Sequence, residues 1–321
     1  MSENISNFEQ SVESQPTETE TRFGDKAELI SVMEQGTAEI KGRVEDFYEV
    51  PEHRNVVEMA YVRMEQGGSR NVAEFVTIDD EVGHHLECIF KPVRGEAEKF
   101  YRQNGLGHDY PREVATYLVS EHFGFDLVPP TTLREIGGQI GSLQLFMPYD
   151  RYKLGSEALH GLDEEDYTDF LGSPDVHHLN TLDWITANAD RHVNNYMLKV
   201  DDDRRPILNA GRPEIVAIDN GLALNELFYR LKANRNDLPG PYQHLTRDHA
   251  TKRNLTVPLP TELRERISEG IQNRAGVTEA LLSLPDIDAK EIERLWQRAQ
   301  ALVDTGVFLS GYNYRDHITY P

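Results

Sequence analysis

Two short polar stretches hold the side chains with the clearest chemical potential. Residues 188–195, which we call the Asp190 loop, read Asn-Ala-Asp-Arg-His-Val-Asn-Asn, and residues 218–221, the Asp219 turn, read Ile-Asp-Asn-Gly. Asn195 and Asp219 offer an amide oxygen and a carboxylate, which suit Mg²⁺ because this hard cation takes oxygen ligands together with water and phosphates. Asp190 is a candidate to orient an attacking hydroxyl or accept its proton. These residue types suit a divalent metal ion that also binds the phosphates of a substrate.

The spacing of apolar residues indicates which elements position these two stretches. Before the Asp190 loop, apolar residues recur every three or four positions, which predicts a buried helix that ends at the loop. They are Val176, Leu179, Leu182, Ile185 and Ala189. Residues 196–200 and 214–218 have strand character around a polar segment, which predicts a hairpin. Because antiparallel strands bring their open ends together, we expect Asn195 to lie beside Asp219.

The loop, the strand pair and the acidic turn together resemble the catalytic core of atypical kinases. The likeness is greatest to the phosphatidylinositol 3-/4-kinase group, whose pattern is D-R-H-x-x-N followed by D-F-G. The matching residues are Asp190, Arg191, His192 and Asn195 in the first motif and Asp219 and Gly221 in the second. Asn220 stands in place of the usual Phe, and Asp-Asn-Gly is similar to the secretory casein-kinase-like family, which phosphorylates proteins. Taken singly, each motif is also compatible with an ordinary turn.

Three further segments, residues 91–96, 112–115 and 127–131, look like a family of bacterial proteins labelled phosphatidylinositol 3-/4-kinase-like. The similarity runs from about residue 36 to about residue 231. That family commonly has D-R-K-x-x-H and D-H-G, so this chain departs toward the eukaryotic lipid-kinase form. The resemblance implies a bacterial protein of the same kind.

The resemblance also implies an α+β, bilobal protein-kinase-like fold. An antiparallel β-rich N-lobe would cover residues 23–150, and a mainly helical C-lobe would cover residues 151–321. The predicted helices are residues 25–35, 111–123, 262–271, 277–284 and 289–305, and the predicted strands are residues 37–44, 56–64, 72–78, 85–91 and 141–147. Residues 1–22 are acidic and poor in aliphatic side chains, so they predict a disordered tail.

Two parts of the N-lobe are candidates to contact a nucleotide. Gly67, Gly68 and Ser69 lie in a bend between predicted strands, where backbone amides can approach phosphates closely. In a kinase, main-chain groups from Leu145 to Met147 would face the adenine of ATP. The ordinary alternatives are a simple turn for the bend and a core strand for the second segment.

Lys91 ends an apolar strand, where a surface lysine would be the ordinary interpretation. The kinase resemblance gives it the α- and β-phosphates of ATP and predicts a carboxylate that holds it. Glu113, in the first turn of the following helix, is one candidate for that carboxylate. Glu96 is the other.

The resemblance assigns the remaining roles to the two motifs. Asn195 and Asp219 would hold Mg²⁺ or Mn²⁺, and Asp190 would orient the acceptor. His192 would assist at the transferring phosphoryl group, and Arg191 is included among the catalytic residues. The implied activity is transfer of the ATP γ-phosphate to a hydroxyl of a protein or small-molecule acceptor. Phosphatidylinositol phosphorylation, AMP transfer and a non-catalytic nucleotide-binding scaffold are the alternatives.

Composition narrows the class of partner. A formal net charge of -22 over 321 residues argues against binding nucleic acid or anionic lipid through bulk electrostatics. The single cysteine, Cys88, is expected in a buried strand, and no Cys/His cluster has the spacing of a zinc site. The sequence shows neither a signal-peptide pattern nor an apolar run of membrane-spanning length, so we expect a cytoplasmic protein that is not integral to a membrane. Basic residues between Lys232 and Arg253 are the best candidates to face an acceptor.

Overall fold

The computed structural model of the chain describes residues 23–43, 72–96, 107–188, 190–209, 212–225, 247–248, 253–254 and 257–308. The predicted tail, the predicted strand at 56–64 and the bend with Gly67, Gly68 and Ser69 lie outside the described residues. Within the described ranges, a β-rich N-terminal lobe is followed by a mainly helical C-terminal lobe.

The N-terminal lobe is built on a five-stranded antiparallel sheet with the order β1-β2-β3-β5-β4. Its strands are β1 Thr37–Arg43, β2 Glu74–Asp79, β3 His85–Pro92, β4 Thr131–Ile136 and β5 Gln139–Leu145. The predicted strands at 37–44, 72–78, 85–91 and 141–147 therefore correspond to β1, β2, β3 and β5. The strand β4, at the edge of the sheet, was not predicted.

The two faces of β3 have different surroundings. Cys88 and Phe90 are fully buried in an apolar cluster on one face, as the alternation of side chains along a strand requires. Helix α1, Lys26–Gln35, covers this face and packs Val32 into the cluster. Lys91, at an odd offset from Cys88, projects from the opposite face.

Helix α2, Tyr110–His122, packs against β4 and β5. Its N-terminus is capped from a distance, because the Glu96 carboxylate accepts hydrogen bonds from the N–H groups of Asp109 and Tyr110 at 2.9 and 3.0 Å. A negative charge at this position satisfies donors that the helix leaves unpaired. Glu96, the alternative partner of Lys91, is therefore engaged at the start of α2.

The C-terminal lobe packs helices around a three-stranded antiparallel sheet with the order β10-β7-β6. The helices are α3 Gly155–Ala158, α4 Glu164–Leu171, α5 Pro174–Thr186, α6 Thr261–Gln272, α7 Ala275–Leu282 and α8 Ala289–Thr305. The strands of the sheet are β6 Tyr152–Leu154, β7 Tyr196–Lys199 and β10 Ile215–Ala217. Two further pairs of short strands are β8 Leu208–Asn209 with β9 Arg212–Pro213, and β11 Arg247–Asp248 with β12 Arg253–Asn254. Buried apolar side chains from most of these helices, from α2 and from β7 and β10 form one core.

Helix α5 delivers the chain to the Asp190 loop. Ser173 caps its first turn by accepting a hydrogen bond from a main-chain N–H at 3.3 Å. Ala187, at φ +49°, ends the helix. The Trp184 indole donates to the Arg298 carbonyl of α8 at 3.0 Å, so the end of α5 is fixed on the core of the lobe.

The α+β, two-lobed architecture expected from the sequence is confirmed. The predicted helices at 25–35, 111–123, 262–271, 277–284 and 289–305 correspond to α1, α2, α6, α7 and α8. The hairpin after the Asp190 loop is also present, since β7 and β10 pair antiparallel with Tyr196 opposite Ala217. In the parts of the chain that the structure describes, we find no helix with the length and apolarity needed to cross a bilayer.

Candidate active site

The Asp190 loop and the Asp219 turn meet at the open end of the β7–β10 hairpin. The Ile218 N–H donates to the Asn195 carbonyl at 3.0 Å, which joins the two segments directly before Asp219. Asn195 is fully buried, whereas the Asp219 side chain is 31% exposed. The structure thus brings together the two residues predicted to bind a metal ion.

Lys91 reaches the same place from β3. Its Nζ atom contacts Glu113 Oε1 and lies 3.0 Å from Asp219 Oδ1. Burial by itself would lower the pKa of the Lys91 ammonium, but the carboxylates of Asp219 and Glu113 outweigh it and raise the pKa above its ordinary value. Lys91 is therefore a permanent positive charge between two carboxylates, and Glu113 rather than Glu96 is its partner on the helix side.

Asp190 and Asn195 are neighbours within the loop. Asn195 Nδ2 donates to the Asp190 carbonyl at 2.6 Å and lies 3.4 Å from Asp190 Oδ2. Asn188 Oδ1 accepts a hydrogen bond from the Asp190 N–H at 3.0 Å. These bonds orient the Asn195 amide, and the Asp190 side chain, 28% exposed, remains within reach of solvent.

His192 lies beside Asp190 at the surface of the loop. Its Nδ1 accepts a hydrogen bond from the Asn194 N–H at 3.2 Å, so the neutral imidazole carries its proton on Nε2. That Nε2 atom is 3.8 Å from Asp190 Oδ2. The ring can therefore donate toward a group that approaches the Asp190 carboxylate.

Arg191 has a different place from the one that the motif suggests. Its side chain is 1% exposed, and its Nε lies 3.1 Å from both carboxylate oxygens of Asp183. Its Nη1 donates to the Ile218 carbonyl at 2.8 Å and also contacts the Asn195 carbonyl. Burial raises the pKa of the Asp183 carboxyl to about 6, against the opposing charge of Arg191. The donors of this guanidinium are directed at groups of the protein, which favours a positioning role for Arg191 over the predicted catalytic one.

The segment predicted to face adenine is only partly available for that role. The N–H groups of Leu145 and Phe146 each donate at 2.9 Å to a carbonyl within the fold. Met147 lies in an apolar cluster that also contains Met197 of β7 and Val216 of β10. Met197 was not predicted to be a neighbour of this segment, although its position two residues after Asn195 places it at the same end of the hairpin.

The chemistry of the donor set fits a hard divalent cation. Asp219 offers a carboxylate, and Asn195 offers its amide oxygen because its amide nitrogen is engaged by Asp190. Mg²⁺ and Mn²⁺ accept such oxygen ligands and complete their coordination with water or phosphates. These two residues could therefore hold a metal ion between the loop and the turn.

Gly221 lies so close to α2 that a side chain cannot be added without movement. A Cβ atom at this position would be 2.8 Å from Asp109 Cβ and 3.1 Å from Asp109 Cγ. We expect Gly221→Ala to destabilise the protein by about 1–3 kcal/mol, because the Asp219 turn and the start of α2 must separate. Thermal unfolding would measure the change.

Gly276→Ala is the matched control for this substitution. Nothing lies within 4 Å of a Cβ added there, and the residue is part of α7. We expect a stabilisation of about 0.5–1 kcal/mol, because alanine favours a helix over glycine. Equal unfolding midpoints for the two variants would contradict the close approach at Gly221.

The fold and the site define a protein-kinase-like class of protein. A five-stranded antiparallel sheet carries Lys91, one helix supplies Glu113, and a mainly helical lobe carries the Asp190 loop and the Asp219 turn. Each of these elements contributes a side chain to one place between the lobes. The class therefore follows from the arrangement of elements as well as from the motifs.

No family model matches the chain. Over 175 residues it is 29% identical to phosphatidylinositol 4-kinase gamma 1 of Arabidopsis thaliana, which covers 51% of this chain and 30% of that protein. It is 28% identical over 191 residues to phosphatidylinositol 4-kinase gamma 4 of the same plant, and this match covers 53% of this chain and 31% of that protein. A solved structure of hydra Fam20 with sugar has a TM-score of 0.45 and 13% identity, and covers 78% of this chain and 89% of that chain.

The chain spans about a third of the length of the curated plant relatives that it matches. Their sequence similarity supports a kinase-like class in general. The bacterial phosphatidylinositol 3-/4-kinase-like family expected from the sequence stays a prediction.

Proposed function

We propose that the chain is an ATP-dependent phosphotransferase that uses Mg²⁺ or Mn²⁺. The observation that carries this proposal is the position of Lys91 Nζ, in contact with Glu113 and 3.0 Å from Asp219 Oδ1. A lysine held in this way presents a fixed positive charge beside a carboxylate suited to a metal ion. Phosphoryl transfer needs such charges at the phosphates more than it needs covalent chemistry from the protein.

Each described residue of the site has one role in this proposal. Lys91 binds the phosphates of the nucleotide, and Glu113 keeps its ammonium in place. Asn195 and Asp219 hold the metal ion, which when bound neutralises charge on the phosphates.

The groups of the Asp190 loop act on the acceptor. The Asp190 carboxylate orients the attacking hydroxyl and accepts its proton. The Nε2–H of His192 donates toward the transferred group. The proposed contacts of Gly67, Gly68 and Ser69 with the phosphates, and of Leu145 and Met147 with adenine, stay as predicted from the sequence.

The acceptor that we favour is a hydroxyl of a protein or a soluble small molecule. The net charge of -22 disfavours a protein surface that stays at an anionic membrane. The second candidate is the inositol headgroup of phosphatidylinositol, which is favoured by the names of the plant relatives.

Isotope transfer tests the proposed function. The purified protein would be incubated with Mg²⁺ or Mn²⁺ and with ATP labelled on either the α- or the γ-phosphate. Generic protein acceptors and phosphatidylinositol vesicles would be supplied in separate reactions. We expect label to leave the γ position only, and we expect Asp190→Asn to lower the rate by about 10²–10⁴-fold because the general base is lost.

Asp203→Asn is the matched control, since Asp203 is an exposed aspartate at the tip of the polar segment after β7. Its rate should equal that of the unmodified protein. Transfer of label from the α position would contradict the proposed kinase activity and indicate an AMP transferase. Binding of ATP with no transfer from either position would indicate a nucleotide-binding scaffold, and label recovered only in vesicle lipid would favour the inositol headgroup.

A further inference from the structure

We propose that Asn220 and Arg191 form a positioning pair that fixes Asp219 for metal binding. This inference rests on the proposed function and adds to it a role for the residue that departs from the D-F-G pattern. Both side chains are buried, so we assign neither of them a direct role at the substrate. The pair acts through the backbone of the Asp219 turn.

Asn220 is fully buried and has polar partners on two sides. Its Oδ1 atom accepts a hydrogen bond from Arg191 Nη2. Its main-chain N–H donates to Glu113 Oε2 at 2.8 Å. The residue after the metal ligand is thus bonded to the Asp190 loop through its side chain and to helix α2 through its backbone.

Glu113 divides its two carboxylate oxygens between the lysine and the turn. Oε1 contacts Lys91 Nζ, and Oε2 accepts the N–H of Asn220. Glu113 therefore restrains two neighbours of Asp219. One is Lys91, whose ammonium contacts the Asp219 carboxylate, and the other is Asn220, the next residue in the chain. Movement of the turn away from α2 would break the bond to Glu113 and leave a buried carboxylate oxygen unpaired, which is costly.

Arg191 supplies the second restraint. Its guanidinium bonds Asp183 of α5, the carbonyls of Asn195 and Ile218, and the Asn220 side chain. A buried guanidinium requires acceptors in fixed directions, because its planar donors cannot be left without partners. A phenylalanine at position 220 would offer none, so the asparagine oxygen is the feature that this turn requires.

Of the two polar atoms of the Asn220 side chain, the oxygen is the one that forms a hydrogen bond, with Arg191. Within the described residues, the buried Nδ2 atom has no hydrogen-bond partner. Asn220→Asp keeps an acceptor for Arg191. Its second oxygen takes the place of the unpartnered Nδ2 atom and adds a buried charge, so this variant is used for the Mn²⁺ affinity and not for stability. Asn220→Leu has a similar size and removes the acceptor.

Binding of Mn²⁺ in the presence of a non-hydrolysable ATP analogue tests the pair without relying on turnover. Free Mn²⁺ would be measured by electron paramagnetic resonance. We expect Asn220→Leu to weaken Mn²⁺ binding by about 10–100-fold, the effect typical of a residue that orients a metal ligand. We expect Asn220→Asp to restore the affinity to within about threefold.

A second variant separates positioning from stability. Asn220→Leu leaves the Arg191 guanidinium short of one acceptor and lowers stability. The triple variant Asp183→Asn, Arg191→Met, Asn220→Leu removes the guanidinium together with the charge that pairs with it, so no charge is left buried without a partner. We expect the triple variant to recover part of the lost unfolding temperature while its Mn²⁺ affinity stays low. Arg205→Met removes an exposed arginine and should change neither quantity.

Two outcomes would overturn the inference in distinguishable ways. If the unmodified protein binds Mn²⁺ with the analogue and the triple variant binds it equally well, the pair has only a structural role and the proposed function stands. If the unmodified protein does not bind Mn²⁺ with the analogue, the proposed function fails and the inference fails with it.

Discussion

Asp219→Asn is expected to lower metal-dependent turnover of ATP by about 10³-fold. Of the two ligands that we assign to the metal ion, Asp219 is the charged one. Loss of its charge weakens binding of the metal ion, whose positive charge the transition state needs at the phosphates. A thousandfold loss corresponds to about 4 kcal/mol of transition-state stabilisation, which is within the range expected of a metal ion.

Asparagine is the right replacement because of the backbone at this position. Asp219 has φ +56°, in the left-handed region. Asparagine and aspartate adopt this region more readily than alanine, so Asp219→Asn changes the charge without adding backbone strain. Lys91 keeps its contact with Glu113 in the variant.

Initial rates at saturating Mg²⁺ and ATP would measure the effect, with thermal unfolding as the check on folding. Asp203→Asn again serves as the control for removal of an aspartate charge at the surface. Turnover by Asp219→Asn within about threefold of the unmodified protein would remove Asp219 from the metal site.

Local sequence patterns were sufficient for six of the eight helices that the structure describes, all except α3 and α4, and the last helix shows why. The predicted helix at 289–305 has the same bounds as α8. Asp288 and Glu291 form a capping box at its start, and Gly306 ends it at φ +65°. Start, periodicity and end are all encoded within the segment, so no distant partner is needed to recognise it.

The strand β4 was missed because its pattern depends on a partner. Its sequence Thr-Thr-Leu-Arg-Glu-Ile mixes polar and apolar residues without clean alternation. Thr132 lies opposite Leu143 of β5, and Thr131 and Thr132 are buried despite being polar. Strand preference of this kind comes from packing against cross-strand neighbours, which the local sequence does not show. The Gly137–Gly138 pair between β4 and β5 is typical of a hairpin turn and was the one local feature that could have predicted this strand.

The residues of the site also differ in whether their positions follow from local sequence or from distant partners. Asp190, Asn195 and Asp219 could be predicted to converge, because a hairpin joins them and hairpin geometry is local. The bond from the Asn220 N–H to Glu113 links residues 107 positions apart. The enclosure of Arg191 by Asp183 and Asn220 likewise depends on how α5 and the turn pack. A motif match compares residue types and contains no information on burial. It therefore predicted a catalytic role for Arg191, whereas the packing of its side chain favours a positioning role.

Helix α2 connects the two halves of the site. Arg112 Nη1 donates to the Ala223 carbonyl at 3.1 Å, and its Nη2 donates to Glu291 of α8 at 2.9 Å. Glu113, the next residue, contacts Lys91 on the N-terminal sheet. The position of Lys91 relative to Asp219 therefore depends on a helix that is bonded to both lobes.

Lys91→Met is expected to lower kcat/KM for ATP by about 10²–10³-fold, because the fixed charge that meets the phosphates is lost. Methionine retains the length and apolar stem of lysine without its ammonium group. The variant also leaves the buried Glu113 without its cationic partner, so it is expected to lose stability. Steady-state kinetics with ATP would measure the catalytic effect, and thermal unfolding would measure the loss of stability.

Adding Glu113→Gln to Lys91→Met separates these two effects. The second substitution removes the charge left buried in the first, so we expect the unfolding temperature to rise while kcat/KM stays low. Lys199→Met is the matched control, because Lys199 is a strand lysine that forms a half-exposed ion pair with Glu214 at 2.8 Å. Such a surface pair contributes only about 0–1 kcal/mol. If the double variant regained the activity of the unmodified protein, Lys91 would be a structural partner of Glu113 and would have no role at the phosphates.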